Sequence, residues 1–186
     1  MTIETLHEGL KNIFGTAALS TALALGSGTA QAQDNAKSPT NTLPPIVSSI
    51  NKKIINIDII AKIESSNNPN ATNPSGAKGL CQLKQGAWSD VQAHHPELSK
   101  YSFEKYWNDA DINKQFGDIY YNETLPTYLK RLKLPINLNT ILAVYNFGIG
   151  NVKKLIKKYG NESWENHLPK ETKDYIQKYN INLNKS

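Results

Sequence analysis

The chain reads as an all-α protein, with one globular helical domain over residues 49–186 that follows a signal-like segment at 1–32 and a linker at 33–48. Three observations predict this. Apolar residues recur at helical spacing: Ile55, Ile59 and Ile63 stand four apart and Ile60 widens the stripe, and Ile112, Phe116, Ile119 and Tyr120 repeat the pattern. Proline and glycine punctuate the ends of these runs, as at Pro135 and Gly160. The length of 186 residues, with 39% hydrophobic and 20% charged residues, fits one domain plus an extension.

Residues 1–12 are mixed polar, Ile13–Leu25 is apolar and rich in small residues, and Ala30-Gln-Ala32 has the form of a leader-peptidase site. This predicts export with cleavage after Ala32. Lys11 is outnumbered by Glu4 and Glu8, so the competing reading is an amphipathic or flexible N-terminal tail, packing within a larger particle being one form of it. The apolar run is shorter than the ~20 residues of an ordinary span, and no stable membrane span is expected. Residues 33–48 are Asp, Asn, Lys, Ser, Thr and Pro through Leu43-Pro-Pro45, the composition of a linker. A net charge of +5 suits an anionic partner. The basic residues are mostly Lys spread along helices, with a single Arg131. No zinc-finger spacing or Arg-rich run supports nucleic acid. The single Cys81 excludes an intrachain disulfide and reads as a small buried residue. Adjacent His94 and His95 cannot share one helical face, and no third ligand stands at a fitting spacing. Neither a metal nor a cofactor is expected.

The domain opens with a helix over 49–63, and Glu64 ends it one turn after Ile60. No Asp or Glu occurs from 65 to 89. A lone carboxylate between an apolar helix and a polar loop has the setting of a general acid, its neutral form favoured by burial. Residues 65–76, rich in Asn and Ser with two prolines, form a structured loop. A second helix is expected from about Gly79 to His95, with Gln82 in its first turn and its amide toward a cleft. Residues 97–108 read as an irregular aromatic segment. A long helical region follows over 109–132, capped by Asp109 and kinked or restarted by Pro126. A buried helix then ends at Tyr145-Asn146 beside Gly148 and Gly150. A short basic helix covers 152–160, and a final helix starts near Pro169.

The run Glu64-Ser-Ser-Asn-Asn-Pro-Asn-Ala-Thr-Asn-Pro-Ser-Gly-Ala-Lys-Gly-Leu-Cys-Gln-Leu83 resembles the first signature of lytic transglycosylases with a soluble-transglycosylase-type, goose-lysozyme-like domain. Asn73 stands where the family usually has Ser, and Cys81 where it has Met. Asn113, Gly117 and Tyr120 match a second block, with Lys114 and Tyr121 in place of its Ile and Leu. Tyr145, Asn146, Gly148, Gly150 and Val152 match a third; Pro169, Glu171, Thr172 and Tyr175 match the last. The resemblance implies a lysozyme-like fold and cleavage of the β-1,4 bond between N-acetylmuramic acid and N-acetylglucosamine of peptidoglycan glycan strands. It implies Glu64 as acid and base, a 1,6-anhydromuramyl product, and a substrate-positioning set of Asn73, Ser75, Gln82, Tyr145, Asn146, Tyr175 and Glu171. Two alternatives stand beside it. One is a hydrolytic muramidase drawing a second acid from Asp118, Glu123 or Glu171. The other is a non-enzymatic wall-binding or assembly component of a secretion system or phage particle. The expected setting is the periplasm or cell envelope, or a phage virion, and the expected state is a monomer.

Overall fold

The computed structural model describes residues 53–185. The signal-like segment, the linker and the first residues of the expected opening helix lie outside them. The described chain is helical throughout. In order it runs α1 (Ile57–Ser65), α2 (Gln85–His94), a 3₁₀ turn (Pro96–Leu98), α3 (Phe103–Tyr106) and α4 (Ala110–Ile119). A π turn (Tyr120–Thr124), α5 (Leu125–Arg131), α6 (Leu138–Phe147) and α7 (Ile149–Tyr159) follow, then a second 3₁₀ turn (Trp164–His167) and α8 (Lys170–Leu183). Among the described residues there is no strand, only isolated bridges from Lys78 to Thr72 and to Leu83.

Several starts follow from local chemistry. Asn56, Asp109 and Asn137 cap α1, α4 and α6, their side-chain oxygens accepting from the backbone N–H of Asp58, Ile112 and Thr140. The isoleucine stripe of α1 is buried through Ile57, Ile59 and Ile60. It meets a core in which Trp88 of α2 stacks on Phe116 of α4, with ring centroids 3.7 Å apart. The Trp88 indole N–H donates to the Tyr101 carbonyl at 2.8 Å, so the aromatic segment is tied to the core rather than left free. Gly117 sits where α4 passes the loop between α1 and α2. A Cβ there would lie 2.6 Å from Cys81 Sγ and 3.0 Å from Ile57 Cδ1, which explains a glycine in mid-helix despite its cost of roughly 1 kcal/mol.

Two expectations require correction. The second helix starts at Gln85, not Gly79. Gly79 (φ 79°) and Gln82 (φ 47°) lie in the left-handed region, which a right-handed helix excludes, and the chain doubles back there through the Lys78 bridges. The opening helix, expected over 49–63, starts only at Ile57, where Asn56 caps it, and the described residues 53–56 are not helical. The 109–132 region breaks at Pro126, as the sequence predicts. Pro126 has no N–H for the Asn122 carbonyl and its ring crowds that oxygen. The turn just before it widens to π form, closed by the Leu125 N–H on Tyr120 O.

Candidate active site

Glu64 occupies the last turn of α1. The helix stops one residue later because Ser66 and Asn67 take left-handed φ values of 53° and 62° and turn the chain away. The residue is half-buried, and its carboxyl group is flanked by tyrosines. The Tyr175 hydroxyl, from α8, donates to Glu64 Oε1 at 2.7 Å. Tyr121 lies behind it, its hydroxyl 3.2 Å from that of Tyr175. The ring of Tyr145 packs against both, with centroids 4.6 Å from Tyr121 and 6.2 Å from Tyr175. Burial pushes the Glu64 pKa up to about 7, against the opposing pull of the Tyr175 hydrogen bond and the Lys178 charge. Burial likewise holds Tyr121, Tyr145 and Tyr175 far above the usual phenol range, so all three remain neutral.

The loop from Ser66 to Lys84 is built as a rigid object. Asn73 Oδ1 accepts from Ser75 N, Ser75 Oγ (2.6 Å) and Ala77 N, an Asx turn that gathers three donors on one oxygen. Gln82 donates Nε2 to Ala71 O and Gly79 O, and so points into the loop instead of along a helix. Tyr145 gives its hydroxyl to the carbonyls of Cys81 and Gln82 at 2.9 and 3.0 Å. Asn113 of α4 is fully buried; its Oδ1 accepts from Cys81 N at 2.9 Å, and its Nδ2 donates to Trp107 O at 2.8 Å and Lys78 O at 3.3 Å. Gly79 makes this possible, because a Cβ there would stand 2.2 Å from Asn113 Nδ2.

Tyr175 and Glu64 are thus in direct contact, and Tyr145 joins them to Gln82. Asn73 and Ser75 form their own cluster in the loop. Asn146 accepts from Thr172 Oγ1 at 2.7 Å, locking α6 to α8. Glu171 is exposed at the start of α8, one turn before Tyr175. Cys81 is buried, its thiol pushed well above the usual range, which makes it a packing residue. Reasoning from sequence missed two members: Asn113, noted only as a block match, and Tyr121, noted only as a departure. A buried Asn on the apolar stripe of α4 was a readable signal for the first. The pairing of Tyr121 with Pro126 five residues on was a fainter one for the second.

Two of the three candidate second acids are committed elsewhere, while Glu171 is exposed. Asp118 accepts from Lys53 Nζ at 2.6 Å and from Asn122 Nδ2 at 3.0 Å, and Glu123 lies 3.2 Å from His95 Nε2. Among the described residues no cluster of His, Cys, Asp or Glu is arranged to hold a metal ion, and no helix is long and apolar enough to cross a membrane.

The transglycosylase SLT domain family matches residues 50–168, more than half of the chain, and the chain belongs to that family. The all-α, lysozyme-like architecture is the one expected of it. The family's activity is of the lytic transglycosylase type and its substrate class is peptidoglycan. Comparisons with curated proteins and with solved structures gave no match.

Proposed function

We propose that this chain is a lytic transglycosylase that cleaves the MurNAc–GlcNAc β-1,4 bond of peptidoglycan and leaves a 1,6-anhydromuramyl end, with Glu64 as both acid and base. The observation that carries the reading is the desolvated Glu64 carboxyl with a neutral phenol donating to it. A pKa of about 7 leaves a substantial protonated fraction at neutral pH. Protonated Glu64 gives its proton to the glycosidic oxygen as the bond from C1 breaks. The carboxylate so formed is held by the Tyr175 hydroxyl. It then takes the proton from the muramyl C6 hydroxyl as that oxygen bonds C1. Glu64 ends protonated, and no water is consumed.

Only one enzyme carboxylate is needed. That suits a site in which Asp118 and Glu123 are bound to Lys53, Asn122 and His95, so that of the three candidate second acids a water-using muramidase would need, only the exposed Glu171 remains. Asn73, Gln82, Tyr145 and Asn146 serve the substrate indirectly, by fixing the loop and α8 around Glu64. Ser75 shares the Asn73 cluster, and Glu171 is the member of the predicted set left to meet the sugar or its peptide stem. The enzyme works in the periplasm or cell envelope, or from a virion, as a monomer.

Digestion of purified peptidoglycan with the full chain, followed by mass spectrometry of soluble fragments, tests this. Products one water lighter than reducing muropeptides are expected, and none with Glu64→Gln. Hydrated reducing products would establish the muramidase. Binding without release of fragments, from folded protein, would move the chain to a wall-binding role.

A further inference from the structure

Tyr121 is fully buried on the π turn, and the residue before it, Tyr120, is buried as well. The Tyr120 hydroxyl lies near Asp90 and Tyr128. Tyr121 instead brings its hydroxyl to within 3.2 Å of the Tyr175 hydroxyl, which in turn is 2.7 Å from Glu64 Oε1.

Each phenol has one proton to give. The Tyr175 proton is directed at Glu64, so the Tyr175 oxygen is left as an acceptor, and the Tyr121 hydroxyl supplies the donor. We propose that Tyr121 is a positioning residue of the catalytic acid: its hydroxyl fixes the Tyr175 hydroxyl in the orientation that donates to Glu64 Oε1. A donor at the Tyr175 oxygen polarises the Tyr175 O–H bond and strengthens its bond to the carboxylate. It also opposes the rotamer in which the Tyr175 hydroxyl turns from Glu64. The Glu64 carboxylate must form and be held between proton donation and proton recovery, so Tyr121 acts at that step without touching the sugar. This role rests on the proposed chemistry of Glu64, but its test does not.

The test is the titration of Glu64 itself, followed by NMR of the side-chain carboxyl carbon in ¹³C-glutamate-labelled full-length protein without substrate, the signal assigned by its loss in Glu64→Gln. Tyr121→Phe keeps the ring and its packing and removes only the hydroxyl. It is expected to raise the Glu64 midpoint by about half a unit or more, because the carboxylate loses support. Tyr120→Phe, the neighbouring buried phenol, should leave the midpoint where it is. Tyr175→Phe should raise it further, and Tyr121→Phe should add nothing in that background, since its effect passes through Tyr175. An unchanged midpoint in Tyr121→Phe, an equal shift in Tyr120→Phe, or a full further shift on top of Tyr175→Phe would each overturn the assignment. If the protein released no anhydro products, the proposed reaction would fall while the titration still decided the role of Tyr121.

Discussion

Glu64 is an acid set where burial opposes its ionisation, moving its pKa from 4.5 to about 7. The same displacement acts on stability. Below pH 4.5 the carboxyl is protonated in both the folded and unfolded states. Between 4.5 and 7 the unfolded chain gives up the proton while the folded chain keeps it. Stability therefore falls as pH rises through that window and levels off above it, with a total of about 3 kcal/mol at stake. Glu64→Gln has no such dependence. Urea unfolding should find the variant and the parent alike near pH 4.5, with the variant the more stable by up to about 3 kcal/mol near pH 8. A variant no more stable than the parent at pH 8 would mean that the carboxylate is well accommodated. Activity should share the window: turnover of peptidoglycan should decline as pH rises past about 7, where Glu64, the proposed general acid, loses its proton. A rate that held level to pH 9 would show that Glu64 does not donate a proton in the slow step.

The loop between α1 and α2 behaves as a folded element without regular structure, because its backbone polar groups are satisfied from the outside. Asn113 alone serves one N–H and two carbonyls across it. Asn113→Ala would leave the Cys81 N–H buried without a partner and take a donor from the Trp107 carbonyl, at a cost of about 2 kcal/mol. The urea midpoint should drop with an unchanged slope, and activity should fall with it, since the loop frames Glu64. A midpoint near that of the parent would show that the loop holds its shape without this residue.

At the scale of the molecule, the last helix completes both the site and the core. The family match ends at residue 168, yet α8 supplies Tyr175 to Glu64, Thr172 to Asn146 and the Tyr179 hydroxyl to the Asn56 N–H at 2.7 Å. Ile176 and Tyr179 are buried, each worth roughly 1.5–3 kcal/mol. Their joint loss, roughly 3–6 kcal/mol, reaches the lower end of the ~5–15 kcal/mol that holds a domain folded. A chain ended at Leu168 should show no cooperative thermal transition under conditions where the full chain shows one. If it melts cooperatively and still cleaves peptidoglycan, α8 is dispensable and Tyr175 has no part in the chemistry.

What was legible in the sequence was what short-range forces decide. The isoleucine stripe of α1, the Asp109 cap, the turn-rich loop and Glu64 at the end of its helix follow from neighbours a few residues apart, and the block matches carried the family with them. What the sequence alone did not decide rests on partners far along the chain. The start of α2 moved to Gln85 because Asn113 and Tyr145, 32 and 64 residues away, hold the Cys81 backbone in a turn that no local propensity demands. Gln82 and Asn146 read as free polar groups until the tertiary fold committed their amides to Ala71, Gly79 and Thr172. Glu64 was readable as an acid from its place in the chain. Its poise near neutrality was set only in the folded molecule, where burial desolvates the carboxyl and a hydroxyl 111 residues away donates to it.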